Sequence, residues 1–182
     1  GSSTYGFYST QSRDVDEFVW DHPDMLIAFA ASNDGADDNA DGVVDGDSIG
    51  SPATAKNCLT VGASENDRAE GGGTGLFYAL FGGAPVPPLR FDNVSAPYDG
   101  VNQGLATFSS RGPCDDGRIK PDIVAPGTDI ISTRSRDASG TLWGVAPDPD
   151  YLFSGGTSMA TPLAAGCAAL FRQYLIERRG MT

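Results

Sequence analysis

The sequence predicts an α/β layered fold whose strands run largely parallel. Two apolar runs of strand length, MLIAFAA (Met25 to Ala31) and CLTVGA (Cys58 to Ala63), are continuous rather than alternating, as in strands buried on both faces. Segments at helical spacing alternate with such runs, and Gly and Pro punctuate the joins, the rhythm of strands covered by helices. At 182 residues the chain is long enough for one domain with a core, or for a large piece of a bigger one.

In chain order, DVDEFVWDHPDMLIAFAASNDG gives a short helix over 14–21 and then a buried strand over 25–31. Val15, Phe18 and Val19 recur at helical spacing, and Pro23 stops the helix. SPATAKNCLTVGAS gives a second strand over 58–63, introduced by a turn. RIKPDIVAPGTDIIST gives an extended segment over 122–125, broken at Pro126-Gly127 and resumed over 129–132. The one long helix runs from about Thr157 to Arg178, with Leu163, Cys167, Leu170 and Leu175 on one face and Pro162 in its first turns, where proline is tolerated. Residues 69–104 break the rhythm with GGGTG, FGG and PVPP around the aromatic cluster LFYALF, and read as an insertion loop packed on its own domain. The sequon at Asn93 is too common a triplet to weigh.

Charge narrows the function. Asp plus Glu number 24 against 12 Lys plus Arg, for a net charge of −12. Such a surface repels phosphate backbones, so nucleic acid is not an expected partner, whereas cations are favoured. The apolar runs are too short to cross a membrane, so no membrane partner is expected either. Three cysteines give an odd count without metal-ligand spacing. Cys58 and Cys167 sit in apolar runs and read as core residues; Cys114, in a Pro-Cys-Asp-Asp turn, reads as exposed.

The segment SGGTSMATPLAAG carries the chemistry. Gly155 and Gly156 turn the backbone into the long helix and leave Ser158 at its N-terminus, where free N–H groups and the positive helix end stabilise a developing anion. On Gly-Thr-Ser alone an ordinary N-cap serves as well. The acidic segment DDNADGVVDGDS has the oxygen spacing of an EF-hand-like calcium loop over 37–48. Asp37, Asn39 and Asp41 would offer side-chain oxygens, Val43 its carbonyl and Asp45 a direct or water-mediated ligand, with Gly42 at the turn and Val44 as the apolar anchor. At the twelfth position Ser48 replaces the bidentate glutamate, with Asp47 a possible substitute. The alternative is a solvated acidic loop.

The wider pattern resembles the subtilisin-like serine proteases, or subtilases. GGTSMATP is similar to the family's serine motif, and LIAFAASNDG to the strand leading to its oxyanion-hole asparagine. SPATAKNCLTVGAS and FSSRGPCDDGRIKPDIVAPGTDI are similar to the segments between them, in the family's order. The SSRGP and RIKPD segments bring the chain nearest the alkaline, oxidatively stable bacterial branch. The resemblance implies a three-layer subtilisin-like fold, Ser158 as nucleophile, and Asn33 as oxyanion donor beside the backbone N–H of Ser158. It also places Ala31 and Ser32 at the substrate-binding strand. Asn33 in SNDG otherwise reads as a turn residue. One departure is Ser32, where the family usually has glycine.

The family's Asp and His motifs precede the asparagine, and neither is recognisable here. The single histidine, His22, closes a helix ahead of a proline, a structural position. The resemblance therefore implies an internal fragment, residues 1–182, carrying the Asn and Ser half of a secreted or extracellular endopeptidase and inactive alone. Its expected partners are peptide or protein substrates, the missing upstream part of the catalytic domain, and copies of itself through exposed sheet edges. The alternative is a non-catalytic, calcium-stabilised module or pseudoenzyme half.

Overall fold

The computed structural model describes residues 4–39, 41, 43–67, 104–137 and 143–180. The expected insertion over 69–104, its aromatic cluster, Asn93 and Gly42 lie outside the described residues apart from Gly104. The elements are α1 (Thr10–Asp21), β1 (Ala28–Ala30), β2 (Leu59–Ser64), β3 (Ile123–Pro126), β4 (Ile130–Thr133), β5 (Tyr151–Ser154) and α2 (Thr157–Arg179).

β1, β2 and β3 form a parallel sheet in that order, with Ala28 paired to Leu59 and Val61 to Ile123. Pro126 closes β3, an outer strand of this sheet, where its missing N–H is tolerated. β4 and β5 form a separate antiparallel pair. β5 is unannounced in the sequence because YLFS is four residues long and follows a Pro-Asp-Pro-Asp stretch. Its place matters: it delivers the chain into the Gly155-Gly156 turn.

α2 packs on the sheet, where Ala160 and Ala164 join Val61, Ala63, Ala106 and Phe108 in one buried cluster. Phe29 and Ala31 alternate to the other face and meet Ile49 and Ala53. These layers bear out the α/β, largely parallel reading.

The buried faces of both helices differ from expectation. In α2 the buried residues are Thr157, Ala160 and Ala164, whereas Leu163, Leu170 and Cys167 are exposed and Leu175 is half-buried. Small side chains let the helix axis approach the sheet closely, and its larger side chains point outward. In α1 the buried residues are Ser12 and Asp16, and Phe18 is exposed. Asp16 is drawn inward because its carboxylate accepts the N–H groups of Lys56 (2.9 Å) and Asn57 (2.7 Å) and the hydroxyl of Tyr8 (2.7 Å). Cys114 is buried too, contrary to expectation, at the base of a turn closed by Gly117 N donating to its carbonyl (2.8 Å). Burial pushes the Cys58 and Cys114 thiols up, away from the reactive thiolate.

Candidate active site

The three parallel strands end on the same side of the sheet, and three segments meet there. After β1 come Ala31, Ser32 and Asn33; after β3 comes Gly127; and β5 leads into Gly156 and α2. Gly156 N donates to Gly127 O (2.8 Å), and a Cβ on Gly127 would stand 3.0 Å from Gly156 O. Only glycine allows that approach. Gly156 itself lies at φ 140, open only to glycine at low cost.

Gly156 is the N-cap of α2 and makes no side-chain cap. Its carbonyl accepts from Met159 N (3.0 Å) and Ala160 N (3.3 Å). The N–H groups of Thr157 and Ser158 therefore have no acceptor within the helix. That of Thr157 donates to Asn33 Oδ1 (2.9 Å), and Thr157 Oγ1 donates to the same oxygen (3.0 Å). The strand end thus supplies the cap the helix lacks, across 124 residues of sequence.

Those two bonds fix which way the amide faces. A backbone N–H can only donate, so the oxygen of Asn33 must face Thr157 and Nδ2 must face away. Thr157 is fully buried, while Asn33 and Ser158 are both exposed. A neutral side-chain donor, a helix N-terminal N–H and a serine hydroxyl thus share one exposed corner. That set can attack a carbonyl and hold the resulting oxyanion, given a base. Ser158 is not the N-cap, so the bland reading of Gly-Thr-Ser does not hold.

Ser110 secures Asn33 from both sides. Its N–H donates to Ser32 O (3.1 Å) and its Oγ accepts from Asp34 N (3.0 Å), and it is fully buried. Gly35 N donates onward to Phe108 O (2.9 Å). The SNDG segment is therefore a strand end pinned to 108–110 rather than a free-standing turn. The Asp34 carboxylate accepts the Tyr5 hydroxyl, which pushes the Tyr5 pKa up. Thr157 and Ser110 escaped the reading of the sequence. The Ser-Ser in FSSRGP was visible, but nothing local showed that it would bracket Asn33.

Ala31 is fully buried with Ile49 and Ala53, so of the expected substrate-strand pair only Ser32 reaches the surface. Ser32 lies at φ 93, a left-handed value that explains why glycine suits this position and that strains a serine.

His22 is elsewhere. It caps the C-terminal end of α1, stacks on Phe18 at 4.2 Å, and its Nδ1 donates to Phe18 O (2.8 Å). The chain beyond it, Asp24 to Ala28, lines a groove with Ala165, Ala168, Ala169 and Arg172. Those residues lie about 10–20 Å along α2 from Ser158 at the helical rise. His22 and Ser158 thus sit at opposite ends of β1.

The 37–48 loop is closed by Asp45 N donating to Ala36 O (2.7 Å). Asp37 Oδ1 (3.1 Å) and Asn39 Oδ1 (2.9 Å) both accept the Asp41 N–H, and Asp41 Oδ1 accepts that of Val43 (2.8 Å). Asp45 accepts from Asp38 N (2.8 Å) and Asn39 Nδ2 (3.2 Å). Val44 is buried as the anchor. Ser48 turns away to exchange bonds with Arg111, and the Asp47 carboxylate lies against Gly6. The donors are all oxygens, which suits calcium chemically. Among the described residues, however, no three His, Cys, Asp or Glu side chains converge on a point that could hold a metal.

Residues 2–179 match the model of the subtilase family. The chain belongs to the subtilase family. It is 32% identical over 94% of its length to the serine protease/ABC transporter B family protein tagD of Dictyostelium discoideum, and 33% identical over 82% to serine protease AprX of Bacillus subtilis. Pyrolysin of Pyrococcus furiosus is 35% identical over 80% of this chain. The chain spans 11%, 26% and 9% of those three relatives. Among solved structures, the S41 psychrophilic protease superposes with TM-score 0.51 at 26% identity, over 90% of this chain and 38% of that one. Sphericase superposes with TM-score 0.53 at 22% identity, over 98% and 43%, a likeness of fold. Among the described residues no helix is long and apolar enough to cross a membrane.

Proposed function

We propose that this subtilase chain supplies the nucleophile and the oxyanion hole of a secreted serine endopeptidase that cleaves peptide bonds through an acyl-enzyme. The Thr157–Asn33 contact carries the reading, because it sets an oriented amide donor beside Ser158. Ser158 Oγ attacks the scissile carbonyl carbon as its proton passes to a base. The C=O π pair moves onto oxygen, where Asn33 Nδ2 and the Ser158 N–H receive it. The carbonyl re-forms, the C–N bond breaks, and the amine leaves with the proton from the base. Water then releases the acid by the same steps.

The base belongs to the upstream Asp and His segment, and the isolated chain is inactive because a serine hydroxyl without a base is a weak nucleophile. The SSRGP and RIKPD motifs support a place near the alkaline, oxidatively stable branch. The loop from Asp37 to Asp45 is the calcium site of this reading, a stabilising rather than a catalytic one. Its support is the alternation of oxygens around Gly42 and the inward folding of Asp37, Asn39 and Asp41 onto the loop's own N–H groups.

The test is peptide hydrolysis by the chain joined to, or mixed with, an upstream subtilase segment that carries the Asp and His. Hydrolysis that Ser158→Ala removes is the expected result. Hydrolysis that survives Ser158→Ala contradicts the assignment.

A further inference from the structure

We infer that Trp143 is a positioning residue for the serine site: its indole, seated on Gly155, holds the turn that delivers Ser158. This rests on Ser158 as the nucleophile. Two glycines make the turn, and they are glycines for different reasons. Gly156 lies at φ 140, so its own backbone calls for glycine. Gly155 is not at a positive φ, so no left-handed backbone demands glycine there. What excludes a side chain at Gly155 is Trp143. A Cβ on Gly155 would fall against the ring atoms Cζ2, Cε2 and Cη2, closer than any real contact. The indole fills the space that a side chain at 155 would take.

Trp143 reaches Gly155 from a braced position. Phe153 N donates to Gly144 O (3.0 Å) and Ala146 N to Tyr151 O (3.3 Å), which ties 144–146 alongside β5. The half-buried indole also packs against the cluster that joins Val61 and Ala63 of β2 to Ala160 and Ala164 of α2. Each residue from 155 to 157 is thus restrained by a different segment: Gly155 by Trp143, Gly156 by Gly127 O and Thr157 by Asn33. β5 ends at Ser154, and a Gly-Gly pair after it has more backbone freedom to lose than any other. The indole removes that freedom at the first of the two. Trp143 therefore acts on Ser158 through the backbone, where a displacement of about 1 Å at the nucleophile can cost on the order of 10²-fold in rate.

The experiment measures kcat and KM per titrated Ser158 in the complete catalytic unit, so that unfolded protein does not count. Trp143→Ala should lower kcat by about 10–100-fold with KM little changed, and Trp143→Phe, which keeps a ring, should lose less. Gly155→Ala leaves Trp143 in place and should also lower kcat, because its methyl and the indole claim one space. In the Trp143→Ala background that methyl enters vacated space, so Gly155→Ala should cost nothing further. Should Trp143→Ala fail to fold, the same comparison is made in Trp143→Phe, whose smaller ring also frees space at 155. A Trp143→Ala protein that melts lower but turns over at the wild-type rate per titrated site makes the indole a packing residue and overturns the inference. An equal loss from Gly155→Ala with and without Trp143 overturns it too. Either result leaves the peptidase reading standing. Cleavage that survives Ser158→Ala overturns both.

Discussion

At the carboxyl ends of β1 and β3, side-chain oxygens of Asn33, Thr157 and Ser110 bind backbone and one another across the sheet. At the amino ends, Asp16, Ser12, Thr54 and Asp122 do the same: Thr54 Oγ1 bonds Ser12 Oγ (2.7 Å), and Asp122 accepts from Thr60 N (2.7 Å) and buried Lys120 (2.6 Å). The residue types hardly differ; what differs is what the bonds leave over. At the amino end Asp16 spends its carboxylate on three donors that are part of the scaffold. At the carboxyl end, among the described residues, the side-chain bonds to Asn33 fall on its oxygen, which turns its amide nitrogen away from Thr157, and Ser158 is exposed. On the proposed function, the active corner is a scaffold whose last donor and nucleophile are held in place without being consumed.

This contrast can be broken one atom at a time. The largest effect is expected from Asn33→Asp in the complete catalytic unit. Aspartate keeps an oxygen for Thr157 N–H and Oγ1, while its second oxygen replaces the outward donor and adds a negative charge beside the forming oxyanion. We expect kcat to fall by at least about 10²–10³-fold, the cost of one oxyanion donor established on subtilisin itself, with melting temperature held or raised by the helix N-terminus. A fall in stability as large as that in kcat would make Asn33 a structural residue like Asp16.

Asp16→Ala should give the converse. It leaves the part-buried N–H groups of Lys56 and Asn57 without their acceptor, at a cost of about 1–3 kcal/mol, read by urea unfolding. The chemistry at Ser158 should be unchanged once the protein is folded. A smaller departure is expected of Ser110→Ala, which keeps the N–H bond to Ser32 O but loosens Asp34. Roughly tenfold in kcat with little change in KM would mark it as a positioning residue, and an equal change in both would not.

The amino-end network also titrates. Burial pushes the Asp16 carboxyl up, but the bonds from Tyr8, Lys56 and Asn57 outweigh it and hold the carboxyl below its usual range. Its contribution is present above the unfolded pKa near 4 and is lost as pH falls through the folded value. The same Tyr8–Asp16 bond, with burial, pushes the Tyr8 hydroxyl up to about 12. That contribution is present below the unfolded value near 10 and is lost as pH rises towards 12. Melting curves against pH should therefore lose the alkaline limb in Tyr8→Phe and the acid limb in Asp16→Asn. The smallest effect concerns the calcium loop. Calcium should raise the melting temperature of the chain, and less so that of Asp41→Ala; an identical response in both would remove the loop from the account.

The strands were legible in part because continuous apolar runs mark them, but only β2 is buried as expected. The run over 25–31 is strand only at Ala28–Ala30, with Met25 and Leu26 exposed, and β3 is largely exposed among the described residues. LTVGA and DIVAP kept their positions to within a residue. The helix faces were not legible, because periodicity marks apolar residues as inward, whereas α1 is held by the polar side chain of Asp16 and α2 approaches the sheet through alanines. Ser158 and Asn33 stood out by motif, but their juxtaposition depends on Gly127 and Gly156, whose roles appear only when two backbones nearly touch. Thr157 and Ser110 act at separations of 124 and 76 residues, beyond any local pattern.

Fluorophosphonate labelling of Ser158 asks whether the proposed serine site is assembled in this chain and wants only its base. Alone, the chain should label very slowly or not at all. With the upstream Asp and His segment supplied as a separate polypeptide, labelling should become fast and should vanish in Ser158→Ala. Rapid labelling of the chain alone, abolished by His22→Ala, would contradict the account and make His22 the base.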